Sequence, residues 1–134
     1  MDGLENQLNK IFESLRSCSS TKVSFLLSQL DLSMLDLWER LHIVFSAQAL
    51  CKLYVYKRVK GVAGYHKLES YFQEHIREAL DLGFYNDESN TLVFPRKRTF
   101  NEFFQKYMND ENRRLLDTIA EKILSLATNQ GIVL

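Results

Sequence analysis

Leu4, Leu8, Ile11, Phe12 and Leu15 recur at steps of three and four residues, which sets them on one stripe of a helix over about residues 3–17. Ser19, Ser20 and Thr21 follow, short hydroxyl side chains suited to capping the next helix, whose stripe is Val23, Leu26, Leu27 and Leu30. Phe25 lies off that stripe. Ser33 then opens the longest helical pattern, over residues 33–60, with Asp36 placed against the positive end of the dipole. Met34, Leu37, Trp38, Leu41, Val44 and Phe45 share one face of its first half, while from Ala47 to Tyr56 apolar residues go all the way round, as expected of a helix packed on several sides.

Gly61 and Gly64 bracket a break, and the helical period resumes over residues 65–82. Leu68, Tyr71, Phe72, Ile76, Ala79 and Leu80 form its apolar face, Lys67, Ser70, Glu74, Arg77 and Asp81 the opposite one, and Gly83 its stop. Between Gly83 and Pro95 the period vanishes. Phe84 and Tyr85 on one side and Thr91 to Phe94 on the other flank a polar turn over residues 86–90, the signature of a short β-hairpin, with Ile132, Val133 and Leu134 available as a third strand. Thr99 followed by Glu102 reads as a capping box for a short helix carrying Phe100, Phe103, Phe104 and Tyr107. Asn109 or Asp110 caps the last helix, whose buried face runs from Leu115 to Ala127 and whose end is marked by Gly131.

The pattern predicts an all-α fold with room for one short β-hairpin: a compact bundle of about six helices around a long central helix. At 134 residues the chain is expected to form a single helical domain, 1–134. Its composition, 46% hydrophobic and 25% charged, is that of a folded globular protein. The apolar stretch of residues 34–59 is interrupted by Asp36, Glu39, Arg40, His42, Gln48 and Lys52, so no membrane span is expected there. Two cysteines are too few for a disulfide framework, and the acidic start Asp2 to Glu5 does not resemble a signal peptide. An intracellular location, cytoplasmic or nuclear, is the expectation.

Seventeen basic and 17 acidic residues cancel, so any electrostatic role must be local. Residues 40–68 hold Arg40, Lys52, Lys57, Arg58, Lys60 and Lys67 and no acid. Residues 96–109 add Arg96, Lys97, Arg98 and Lys106 against Glu102 alone. Residues 69–95 carry Glu69, Glu74, Glu78, Asp81, Asp87 and Glu88 against Arg77. The charge pattern predicts a two-faced molecule. Lys57, Arg58 and Lys60 at a helix C-terminus also serve simply to complement the negative end of the dipole.

No catalytic or metal-binding motif is recognisable: Cys18 and Cys51 are far apart, and His42, His66 and His75 fit no HExxH spacing. Cys51 falls in the all-round apolar segment, where a thiol is inert, and His75 sits on an apolar helix face, where a hydrogen-bonded structural histidine is the favoured reading. Gly61 and Gly64 lack the preceding strand and following Lys and Ser or Thr of a phosphate loop. No cofactor is implied.

The expected function is therefore non-catalytic: an interaction or assembly module that binds a partner protein or itself through an apolar or aromatic surface. Phe25, Phe94, Ile132 and Leu134 are the candidate partner-binding residues. The alternative is an RNA- or DNA-binding accessory protein with a basic patch around residues 52–67 and 96–98. Its candidate contacts are Lys57, Arg58, Lys60, Lys67, Arg96, Lys97 and Arg98, with Tyr54, Tyr56, Tyr65 and His66 as rings that could stack on bases.

Overall fold

Helix α1, Asp2–Arg16, buries Leu4, Leu8, Ile11 and Phe12, the stripe that the sequence period sets on one side. In a computed structural model the structure describes residues 2–16, 23–32, 47–62, 64–86 and 91–131. The fold is all-α. A short α2, Val23–Ser28, turns its Val23, Leu26 and Leu27 inward, and Leu30 and Leu32 continue the buried set beyond its end. The chain is held there by the Gln7 side-chain amide, which donates to the Asp31 carbonyl at 3.2 Å and accepts from the Asp31 N–H.

Of the expected central helix the structure describes α3, Ala47–Lys60; Ser33, Leu41, Phe45 and His42 lie outside the described residues, as do Cys18 and the hydroxyl cluster Ser19 to Thr21. Ala47, Ala49, Leu50, Cys51, Leu53, Val55 and Tyr56 are all buried, so α3 is enclosed on several sides. It packs chiefly on α7, Asp110–Asn129, whose Leu116, Ile119, Ala120, Ile123 and Ala127 form the facing stripe. The Asn109 Oδ1 accepts from the Asn112 N–H at 2.7 Å and so caps α7, while Gly131 turns left-handed (φ 68°) just past its end.

Three expectations are corrected, and a fourth, the hairpin, is met in reduced form. The helix over 65–82 is two helices, α4 at Tyr65–Glu74 and α5 at Ile76–Leu82, interrupted at His75 with φ −124° and ψ 63°. His75 is exposed rather than central to an apolar face. The supposed capping box does not cap: α6, Lys97–Glu102, starts two residues before Thr99 because Pro95 already ends the preceding segment, and Glu102 instead pairs with Arg98 at 3.1 Å. The hairpin is reduced to a two-residue antiparallel ladder, β1 (Tyr85–Asn86) on β2 (Thr91–Leu92), with Tyr85 opposite Leu92. Residues 87–90 of its turn, and Ile132 to Leu134 of the expected third strand, lie outside the described residues.

After α6 the chain widens into one π-helical turn, Phe103–Tyr107, in which Phe103 and Phe104 are both buried. The Phe104 carbonyl, in the last turn before the helix ends at Tyr107, accepts from Arg113 Nη2 at 3.0 Å. A chain of rings fills the space between α3, α4 and this region: Phe84 to Phe94 at 5.3 Å, Phe94 to Phe72 at 5.3 Å, Phe72 to Tyr56 at 5.0 Å, and Tyr65 to both Phe94 and Phe100 at 5.9 Å. Each such pair contributes about 0.5–1.5 kcal/mol beyond the area it buries.

Candidate interaction surfaces

Helix α5 has its polarity inverted. Its glutamate, Glu78, is 4% exposed, whereas Ile76 and Leu80 are 50% and 43% exposed. The helical period explains how. At about 100° per residue, a helix running straight through His75 would hold Ile76 roughly 40° and Ala79 roughly 20° from Phe72, with Glu78 about 120° away toward solvent. The residues actually buried are Glu78, Ala79 and Leu82, whose mean direction lies about 70° round the wheel from Phe72. The interruption at His75 supplies that turn of phase.

The backbone accommodates the break without abandoning its hydrogen bonds. The His75 N–H closes α4 by donating to the Tyr71 and Phe72 carbonyls, and its own carbonyl opens α5 by accepting from the Glu78 and Ala79 N–H groups. The imidazole is folded back: its ring stacks on Tyr71 with centroids 4.0 Å apart and planes 10° off parallel, and Nδ1 lies 2.8 Å from the Tyr71 carbonyl. A carbonyl only accepts, so Nδ1 carries the proton in that contact. At the other end Gly83 takes φ 99°, a conformation glycine adopts freely, and closes α5.

Beneath the exposed pair, the Glu78 carboxylate is clasped by two phenols. Tyr71 donates to Oε2 at 2.6 Å and Tyr56 to Oε1 at 3.4 Å. Burial, reinforced by its hydrogen-bonding neighbours, raises the Tyr56 phenol above the usual tyrosine range, and Tyr71 moves the same way for the same main reason. Both hydroxyls therefore stay protonated donors at physiological pH. One turn further on, Ser24 of α2 donates to Asp81 at 3.2 Å and ties α5 to α2.

The apolar candidates named from sequence fare differently. Phe94 is half-buried, its ring packed among Tyr65, Phe72 and Phe84. Phe25 is half-buried and forms one wall of a shallow cleft of about 180 Å³ with Lys10, Ile11, Ser14 and Gln29. Ile132 and Leu134 lie outside the described residues. Ile76 and Leu80 were hidden from sequence reasoning because the uninterrupted period assigns them to the core.

The basic candidates do converge in part. The Tyr65 ring touches both Phe94 and Phe100, so the segment carrying Arg96, Lys97 and Arg98 arches beside the start of α4, where His66 and Lys67 stand six and seven positions after Lys60. Lys60, Lys67, Arg96, Lys97 and Arg98 are exposed, and Lys57 is half-buried. Arg58 is committed elsewhere: its Nε is 3.7 Å from Asp117 Oδ1, which also accepts from the Tyr54 hydroxyl at 2.7 Å. The expected stacking rings are corrected as well. Tyr56 and Tyr65 are buried, and Tyr54 is stacked on Phe104 at 4.9 Å, which leaves His66 as the exposed ring of that set.

A wider groove, of about 620 Å³, opens between α1 and α7, with Leu4 and Leu115 at its base and Glu111 and Arg114 at its edge. Cys51 is fully buried, and burial pushes its thiol up to about 12. The described helices include none long and apolar enough to cross a membrane. The chain matches no protein-family model, no curated protein and no solved structure.

Proposed function

We propose that this protein is a non-catalytic interaction or assembly module, and that its docking surface is the apolar ridge of Ile76 and Leu80 on α5. The observation that carries this reading is the inverted helix. Burying a carboxylate costs several kcal/mol of desolvation, and each large aliphatic side chain kept half in water forgoes about 1 kcal/mol of burial. A chain gains nothing from that exchange in isolation, but an apolar ridge flanked by Glu74 and Arg77 is suited to seating against a protein surface with an apolar core and a polar rim.

A photoreactive phenylalanine analogue in place of Leu80, irradiated in native cell extract, tests the proposal. Discrete higher-mass adducts should form at that position and be missing when the analogue replaces the exposed Glu121 of α7. The same adduct pattern at both positions would sink it.

The exposed cations around Tyr65 support a second reading, contact with a nucleic-acid phosphate backbone. With Tyr56 and Tyr65 buried, base stacking has little part in it, so binding should be electrostatic and should fall steeply between low and moderate salt. Lys60→Glu combined with Lys97→Glu should abolish retention of a labelled single-stranded oligonucleotide. Retention that ignores both the salt and the charge reversal would remove this reading.

A further inference from the structure

We infer that the α4–α5 junction is a two-phase hinge, and that the Tyr56–Glu78–Tyr71 clasp holds the phase in which Ile76 and Leu80 face outward. This inference rests on the proposed role of the ridge and names what controls it.

Two arrangements of the same residues compete. The sequence period favours one continuous helix over residues 65–82, in which Ile76 joins Leu68, Phe72 and Ala79 on the buried side and Glu78 points to water. The structure holds the other, interrupted at His75, with a buried set on α5 whose mean direction on the helical wheel lies about 70° from Phe72. Ala79 is buried and Glu78 buried with it, so the two phases share part of their packing and differ mainly in exchanging Ile76 for Glu78. What favours the rotated phase is specific: a carboxylate bonded by Tyr71 at 2.6 Å and by Tyr56 at 3.4 Å, the His75 ring laid flat on Tyr71, and the Ser24 hydroxyl on Asp81. Tyr71 is common to the first two and is the keystone of the clasp.

Removing both phenol hydroxyls takes from the buried carboxylate its two donors among the described residues, and the path open to it is rotation back to water, which draws Ile76 inward. By linkage, anything seated on the ridge tightens the clasp, and anything that loosens the clasp weakens ridge binding by the fraction of molecules lost from the outward phase. Glu78→Leu behaves oppositely, since a leucine at that position holds the rotated phase by its own burial.

The test is maleimide labelling of Ile76→Cys in the isolated protein, with Cys18→Ser so that buried Cys51 is the one other thiol, and with Leu68→Cys on α4, a position buried in both phases, as the control. Labelling at position 76 should slow at least fivefold in Tyr56→Phe/Tyr71→Phe and stay at the parent rate in Glu78→Leu, while position 68 remains protected throughout. A position-76 rate within twofold of the parent in the double variant, with position 68 still protected, overturns the hinge. Should the double variant expose position 68, Tyr71→Phe alone decides: slowing at position 76 supports the hinge and an unchanged rate overturns it. Because no partner is present, a failed hinge leaves the ridge permanently displayed and the docking role intact, whereas missing photoadducts with normal labelling refute the docking role alone.

Discussion

Leu53→Ala should be among the most damaging single substitutions among the described residues. Leu53 has 0% exposure on a helix enclosed on several sides, so its neighbours cannot close the space it leaves. Three carbons are removed, a transfer loss of about 2.4 kcal/mol at about 0.8 kcal/mol each. A residual cavity on the order of 70 Å³ adds about 1.7 kcal/mol at about 24 cal/mol per Å³, for a total of about 4 kcal/mol. Against a stability of roughly 5–15 kcal/mol this is a large fraction. In urea, followed by circular dichroism at a helical wavelength, an m-value of about 2 kcal/mol per molar converts the loss into a midpoint about 2 M lower, with m unchanged. Leu124→Ala on α7, where the parent side chain is 42% exposed, supplies the contrast and should cost under about 1 kcal/mol. Equal costs at the two positions, or a Leu53→Ala loss below about 1 kcal/mol, would refute the enclosure of α3.

Ile76→Gln with Leu80→Gln should leave the melting temperature within a few degrees while eliminating photoadducts from a reporter at Arg77, because the two side chains already stand half in water. Asn109→Ala should cost about 1 kcal/mol in the same urea titration and Asn109→Gly only a few tenths, since the Asn109 side chain holds the first turn of α7 through the Asn112 N–H. Stability should be flat toward neutral pH and fall in alkali. Cys51, Tyr56 and Tyr65 are all raised by burial from ordinary values of 9.0 and 10.0, so the fold favours their neutral forms; their contribution is complete below about pH 9 and is lost as pH rises, at up to about 1.4 kcal/mol per unit for each group ionised only when unfolded. A urea midpoint unchanged between pH 8 and 11 would contradict that burial.

Stripes set by burial against a broad core were legible in the sequence. Leu4, Leu8, Ile11 and Phe12, and again Leu116, Ile119 and Ile123, recur at the helical period because one face of each helix meets one partner surface. The all-round apolar run of α3 likewise announced a helix surrounded by others. The failures fall where a neighbour outweighs local pattern. Thr99 and Glu102 have capping-box spacing, yet Pro95 fixes the chain earlier and α6 is under way before Thr99. Phe103 and Phe104 point inward together because a π-helical turn widens the spiral, and no period of three and four anticipates that. The candidate surface was illegible for the same reason. Phe94 has the look of an exposed ring after a polar turn, but its place among Phe72, Phe84 and Tyr65 depends on contacts far away in the chain.

The conflict at α5 is of another kind, because there the local pattern and the tertiary structure each offer a complete solution. Native sequences are expected to agree across levels, and departures concentrate where function imposes its own demand. Replacing Ile76 by Glu78 in the buried layer requires two tyrosines in fixed positions, one on α3 and one on α4, before it is tolerable at all. The cost of the arrangement is thus spread over three helices while its product is confined to one surface: two aliphatic side chains, one turn apart, standing half in solvent on a helix that His75 and Gly83 delimit. A misplaced core residue would not need such support. The proposed docking ridge, held outward until something covers it, would, and under that proposal the two phenols are the point at which it is released.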